Sequence, residues 1–108
     1  MLQLTEENHP DIHYILLEGR LDGRQSDEAN RQLENILNEN TAAKFVLDLA
    51  KLEYMSSAGL RVLLMAAKRA KAGGKELVIC SPTPEVKEIL DISGFGSIMS
   101  IVDCRDTV

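Results

Sequence analysis

Three consecutive apolar residues near the middle of the chain, Phe45-Val46-Leu47, constrain the fold more than any other run. Successive side chains of a strand point to opposite faces. An unbroken apolar run therefore suits a strand buried on both faces, as in a parallel sheet. Helical periodicity flanks it on either side. Before it, Ala29, Leu33, Ile36 and Leu37 recur at helical spacing with charged residues between them; after it, Leu60, Leu63, Leu64, Ala67 and Ala70 do the same. Strands linked through helices in this way form right-handed crossovers.

Reading outward from that strand completes the order. Residues 2–6 alternate as a first strand, Asn8-His9-Pro10-Asp11 are turn residues, and residues 12–19 read as a second strand, which together make an antiparallel hairpin. The stretch from Asp22 to Ser26 breaks the pattern. A first helix starts at Ser26 or Asp27, both good N-caps, and ends at Asn38-Glu39-Asn40. The third strand covers residues 44–49, and the second helix covers residues 60–72 before Gly73-Gly74 stops it. Residues 76–80 form a fourth strand. Thr83 caps a third helix with Pro84 in its first turn and Glu85 after it, its apolar face being Val86, Ile89, Leu90 and Ile92. Gly94-Phe95-Gly96 reads as a turn, and residues 98–102 as a short last strand. The order β-β-α-β-α-β-α-β predicts one α/β domain over residues 1–108: a mixed sheet, an opening antiparallel hairpin followed by βαβαβ, packed by helices.

Composition bounds the partners. The chain has 108 residues, 44% of them apolar and none of them Trp, so a core of Leu, Ile, Val and Ala is expected. Twelve Lys and Arg against seventeen Asp and Glu give a net charge of −5. That balance disfavours nucleic acid, whose binding relies on cationic side chains, and disfavours an anionic membrane surface. The opening residues Met1 to Glu7 lack a basic region followed by an apolar run, and no apolar stretch approaches the ~20 residues needed to span a bilayer. A cytoplasmic protein is expected. Cys80 and Cys104 lie far apart without CxxC spacing and read as free thiols of a reducing compartment.

Catalytic readings fail on spacing. Met55-Ser56-Ser57-Ala58-Gly59 has Met55 where a nucleophile elbow needs Gly, and the histidines His9 and His13 precede the serines although the base of such a triad follows its nucleophile. Gly73-Gly74-Lys75-Glu76 lacks the Ser or Thr of a phosphate loop and follows a helix instead of opening one. Gly94-Phe95-Gly96 has no third Gly before a helix, as dinucleotide binding requires. No cluster has metal-ligand spacing. His9 and His13 read as polar hairpin residues. Asp48, placed at a strand's C-terminal edge, is either a polar edge residue or a candidate acid. No cofactor is expected.

The segment Tyr54-Met55-Ser56-Ser57-Ala58-Gly59-Leu60 holds the chemistry that remains. It places two hydroxyls where a strand ends and a helix begins. N–H groups at a helix start have no partner inside the helix. A serine there can cap the helix, bind an anion or carry a phosphate, and capping is compatible with modification. A phosphate gains from the unpaired N–H groups and the helix dipole while adding roughly −1.5 to −2 charges. It alters what the surface binds without unfolding the domain.

Phe45-Val46-Leu47-Asp48-Leu49, Leu52 and the serine segment, with Val62-Leu63-Leu64 after it, resemble the signature of the STAS family, specifically the bacterial anti-sigma factor antagonists. Gly19-Arg20-Leu21-Asp22 and the Pro-led third helix are similar too. The resemblance implies a protein that is not an enzyme and that switches partners. Unmodified, it binds an anti-sigma factor that is also a serine kinase, which frees a sigma factor. The kinase uses ATP to phosphorylate it and end the complex, and a metal-dependent serine phosphatase restores it. The acceptor is the hydroxyl residue two before the Gly, which matches Ser57; Ser56 stands where many members carry Asp. The partner surface so implied comprises Asp22, Ser56, Ser57, Ala58, Gly59 and Arg61. Two alternatives are a STAS-type structural subunit of a regulatory or transporter assembly, and a module holding a ligand phosphate at the same helix start.

Overall fold

A computed structural model describes residues 2–94 and 100–103 of the chain. Two strands open it, β1 (Leu2–His9) and β2 (Ile12–Leu21). Helix α1 (Ser26–Glu39), strand β3 (Lys44–Met55), helix α2 (Ser57–Ala72), strand β4 (Glu76–Cys80), helix α3 (Pro84–Ile92) and strand β5 (Ser100–Val102) follow. The five strands form one sheet in chain order, β1 antiparallel to β2 and every later pair parallel. The predicted mixed α/β architecture is the one observed. Because the parallel strands advance in one direction, right-handed crossovers carry all three helices to the same face.

Phe45, Val46 and Leu47 are each 0% exposed, as the apolar run requires. Phe45 and Leu47 join the main core with Ile15 and Leu17 of β2, Ile79 of β4, Leu33 of α1, Leu63 of α2 and Leu90 of α3. Val46 faces the other way and packs with Val78 and Cys80, beside the half-buried Ile12, Tyr14 and Val102. Cys104 and the Phe95-Gly96 part of the expected turn lie outside the described residues, as do the first two positions of the expected last strand.

Strand β3 runs six residues beyond the expected end at Leu49. Two register shifts against β2 explain why alternation hid this: Leu16 pairs with Asp48 but Glu18 with Lys51, and Gly19 pairs with Leu52 but Arg20 with Tyr54. Each shift inserts one extra residue into β3, a β-bulge. Leu49, Leu52 and Met55 therefore all point into the core at a spacing of three. Asp48, expected at a strand end, instead sits beside the first bulge, where its Oδ1 accepts from the Ala50 N–H at 3.0 Å. The carboxylate satisfies a donor at the disrupted ladder, which is a structural role.

Other boundaries moved for identifiable reasons. β1 continues through Asn8 and His9, leaving Pro10-Asp11 as a two-residue loop with Asp11 in the left-handed region at φ 66°. His13 is a polar hairpin residue as read, but a buried one: it is 3% exposed, with Nε2 at 2.7 Å from Glu6 Oε1 and its ring edge-on to Phe45. Neither Ser26 nor Asp27 caps α1; Gln25 holds that position without a side-chain bond, and Ser26 Oγ donates to the Gly23 carbonyl at 3.2 Å. In α2 the buried stripe is Gly59, Val62, Leu63, Ala66, Ala67 and Ala70, with Leu60 and Leu64 half-buried at its flank. Ile92 is 79% exposed, against expectation. Six positions on from Val86 it lies about 240° round the helix, away from the core stripe. Thr83 caps α3 as read, accepting from the Val86 N–H at 3.5 Å. Among the described residues no helix is long and apolar enough to cross a membrane.

Candidate functional site

The carboxyl ends of β2 and β3 lie side by side, Leu21 opposite Met55, so the segments that follow them emerge together. One segment is the turn Asp22-Gly23-Arg24-Gln25 into α1; the other is Ser56 into α2. A backbone bond ties them: the Ser56 N–H donates to the Leu21 carbonyl at 3.0 Å. Asp22 Oδ1 accepts from the Arg24 N–H at 3.0 Å, and the Gln25 N–H reaches the Asp22 carbonyl at 3.2 Å, which fixes the turn. Open α/β sheets place their binding sites beyond such carboxyl ends.

The two serines divide the work. Ser56 is the N-cap of α2, in extended conformation (φ −88°, ψ 177°), and its Oγ accepts from the Gly59 N–H at 3.2 Å. The same hydroxyl donates to the Leu21 carbonyl at 3.5 Å. Ser57 is the first helical residue and is exposed. We expect Ser56→Ala to cost ~1 kcal/mol, the usual worth of a Ser cap, and Ser57→Ala to stay within about 0.5 kcal/mol. Thermal melts of the two variants measure both.

Gly59 cements the junction. A Cβ there would lie 2.4 Å from the Leu21 carbonyl oxygen and 2.8 Å from Leu21 Cγ. Only glycine lets the first turn of α2 close against the end of β2. Of the residues expected at a partner surface, then, Gly59 faces inward, Ala58, Asp22 and Ser56 are half-buried, and Ser57 and Arg61 are exposed. Arg61 lies one turn on from Ser57 and borders a hollow of about 100 Å³ between the starts of α1 and α2, with Asp27, Asn30 and Met65. No acidic residue occupies the first turn of α2.

Arg20 and Tyr54, named above only within longer runs, meet at this end. The Arg20 guanidinium stacks over the Tyr54 ring, 4.4 Å from its centroid, and Tyr54 is 38% exposed. Their signal is the register of β2 against β3, which pairs them across the second bulge. Among the described residues, no cluster of three or more His, Cys, Asp or Glu side chains is arranged to hold a metal ion.

The fold and this junction define a class: a small α/β domain with a mixed sheet, in which a helix-capping serine and an exposed serine after it lie at the carboxyl ends of adjacent parallel strands. The chain belongs to the STAS domain family, whose pattern it matches over residues 3–108. It is 34% identical over 102 residues to the anti-sigma F factor antagonist of Paenibacillus polymyxa, covering 94% of this chain and 87% of that one. It is 33% identical over 105 residues to BtrV of Bordetella bronchiseptica, provisionally named an anti-sigma factor antagonist, covering 97% of this chain and 90% of that one. Its fold also matches the phosphorylated form of the Bacillus cell fate determinant SpoIIAA, with a TM-score of 0.70 and 19% identity over 94% of this chain and 90% of that chain.

Proposed function

We propose that the protein is an anti-sigma factor antagonist switched by phosphorylation of Ser57. Unmodified, it binds an anti-sigma factor that is also a serine kinase, and a sigma factor is released. The kinase transfers the γ-phosphoryl group of ATP to Ser57 Oγ; the hydroxyl proton leaves, the bond to the β-phosphate oxygen breaks, and ADP departs. A metal-dependent phosphatase then hydrolyses the phosphoserine with water, which returns the hydroxyl and inorganic phosphate. The protein is the substrate in both steps and not the enzyme.

One observation carries this reading beyond the family likeness: the capping bond of α2 belongs to Ser56 while Ser57 is exposed at the first helical position. Adding phosphate to Ser57 therefore breaks no bond that the fold needs. The free N–H groups and dipole of the first turn favour the added charge. The relatives named as antagonists support the partner class.

The test is complex formation with the kinase-type anti-sigma factor of the same organism, before and after ATP. The wild-type complex is expected to form and then dissociate with ATP, while the Ser57→Ala complex persists. A wild-type complex that ATP leaves intact contradicts the switch and favours a structural subunit.

A further inference from the structure

The first β-bulge of β3 leaves a hollow beside it. Between the pairs Leu16–Asp48 and Glu18–Lys51, β2 contributes one residue, Leu17, and β3 contributes two, Leu49 and Ala50. Leu49 turns into the core, where it is 0% exposed, while Ala50 is exposed and fills little space. An opening of about 240 Å³ remains, bordered by Thr5 of β1, Leu16 and Glu18 of β2, and Asp48, Ala50 and Lys51 of β3. Leu16 and Glu18 alternate with Ile15 and Leu17, which point into the main core beneath the helices. The hollow therefore opens on the helix-free face of the sheet, away from the helix that carries Ser57.

Its walls carry charges of both signs. Glu18 and Lys51 are register partners on adjacent strands, both are exposed, and both border the hollow. They nevertheless make no ion pair with each other or with any other described residue. Asp48 belongs to the frame: its Oδ1 holds the Ala50 N–H at the bulge, and it adds negative charge to the wall. Leu16 and Ala50 add apolar surface. An occupant of matching chemistry carries an ammonium for Glu18, a carboxylate for Lys51 and an apolar group for Leu16 and Ala50. The opening is smaller than the ~300–1,000 Å³ of sites for drug-sized ligands. A free amino acid unites all three features in a molecule small enough for it.

We propose that the bulge hollow between β2 and β3 binds a free α-amino acid with an apolar side chain. Its ammonium pairs with the Glu18 carboxylate, its carboxylate with the Lys51 ammonium, and its side chain lies on Leu16 and Ala50. The ligand thus bridges two register partners whose charges the fold leaves unjoined. Charge-assisted hydrogen bonds of this kind are the strong ones. The site does not depend on the reading of Ser57 as the switch and shares no residue with the serine junction. The strand it grips, β3, ends at Met55, directly before the cap Ser56.

Titration of the isotope-labelled protein with L-valine, L-leucine and L-alanine, followed by amide NMR, tests this. At least one is expected to give saturable shifts centred on residues 16–18 and 48–51, with a Kd of about 1 mM or tighter. Two relatives of valine separate its charges: isovalerate lacks the ammonium and isobutylamine lacks the carboxylate. Each is expected to bind about tenfold or more weakly than L-valine. Glu18→Gln and Lys51→Gln are expected to weaken amino-acid binding by about the same factor. Ala50→Leu, which changes no charge, is expected to abolish it by filling the hollow. Thermal melts show which variants fold, and the two exposed Gln substitutions keep the test intact should Ala50→Leu not fold. No saturable shift from any of the three amino acids up to about 50 mM overturns the proposal. So does isovalerate or isobutylamine binding as tightly as L-valine, or binding that neither Gln substitution weakens.

Discussion

Replacing Gly59 by Ala is expected to lower the melting temperature by roughly 10–20 °C, the largest effect of any small substitution near the serines. Overpacking a close contact costs about 1–3 kcal/mol, and 1 kcal/mol moves the midpoint of a domain this size by ~4–8 °C. The upper part of that range applies because the obstacle is backbone. The Leu21 oxygen, 2.4 Å from the added Cβ, is already held at 3.0 Å by the Ser56 N–H. It has little freedom to yield without breaking the bond that joins β2 to the start of α2. The helix must shift instead, and Ser57 moves with it. Gly59→Ala is thus expected to impair kinase binding as well as stability, whereas Ser56→Ala lowers stability with a smaller loss of binding. Thermal denaturation and calorimetry on both variants check this; a Gly59→Ala protein that melts within 2–3 °C of wild type would contradict the close approach of Leu21.

The second large effect is on affinity. Ser57→Asp is expected to weaken the complex with the kinase by about tenfold or more, and full phosphorylation by more than that, since a phosphate brings roughly −1.5 to −2 charges where Asp brings one. Each ~1.4 kcal/mol is a factor of ten, so a few repulsive or displaced ion contacts suffice. Stability is expected to hold or rise slightly, because negative charge at the start of α2 complements the dipole and no acidic residue is there already. The pairing of weaker binding with undiminished stability distinguishes a surface switch from a folding defect. Titrating the kinase with Ser57→Asp and Ser57→Ala, alongside melts of each, measures it.

Much of this frame was legible in the residues, because consecutive or periodic apolar positions report burial directly. Phe45-Val46-Leu47 marked a strand buried on both faces. Thr83-Pro84-Glu85 marked a helix start, and its cap is in place. The length of β3 was not legible: two bulges break alternation after Asp48, and a period-two pattern carries no information past an inserted residue. His13 was legible as a polar hairpin residue but its burial was not, because its polarity is satisfied internally by Glu6 and Asn8, a pairing across the hairpin that no single-strand pattern shows. The serine segment marked the strand-to-helix junction but not which hydroxyl caps the helix. Both hydroxyls have good capping chemistry, and only the backbone places Ser56 at the cap and Ser57 one step inside. The inward face of Gly59 and the stacking of Arg20 on Tyr54 are long-range facts, set by how β2 closes against β3 and α2.

Ser57, and not its neighbour, is the residue expected to carry the phosphate. Incubation of the wild-type, Ser56→Ala and Ser57→Ala proteins with the kinase-type anti-sigma factor and ATP, followed by peptide mass spectrometry, tests it most directly. A single phosphate is expected on Ser57 in the wild-type and Ser56→Ala proteins and none in Ser57→Ala. Phosphate on Ser56, or undiminished modification of Ser57→Ala, would contradict it.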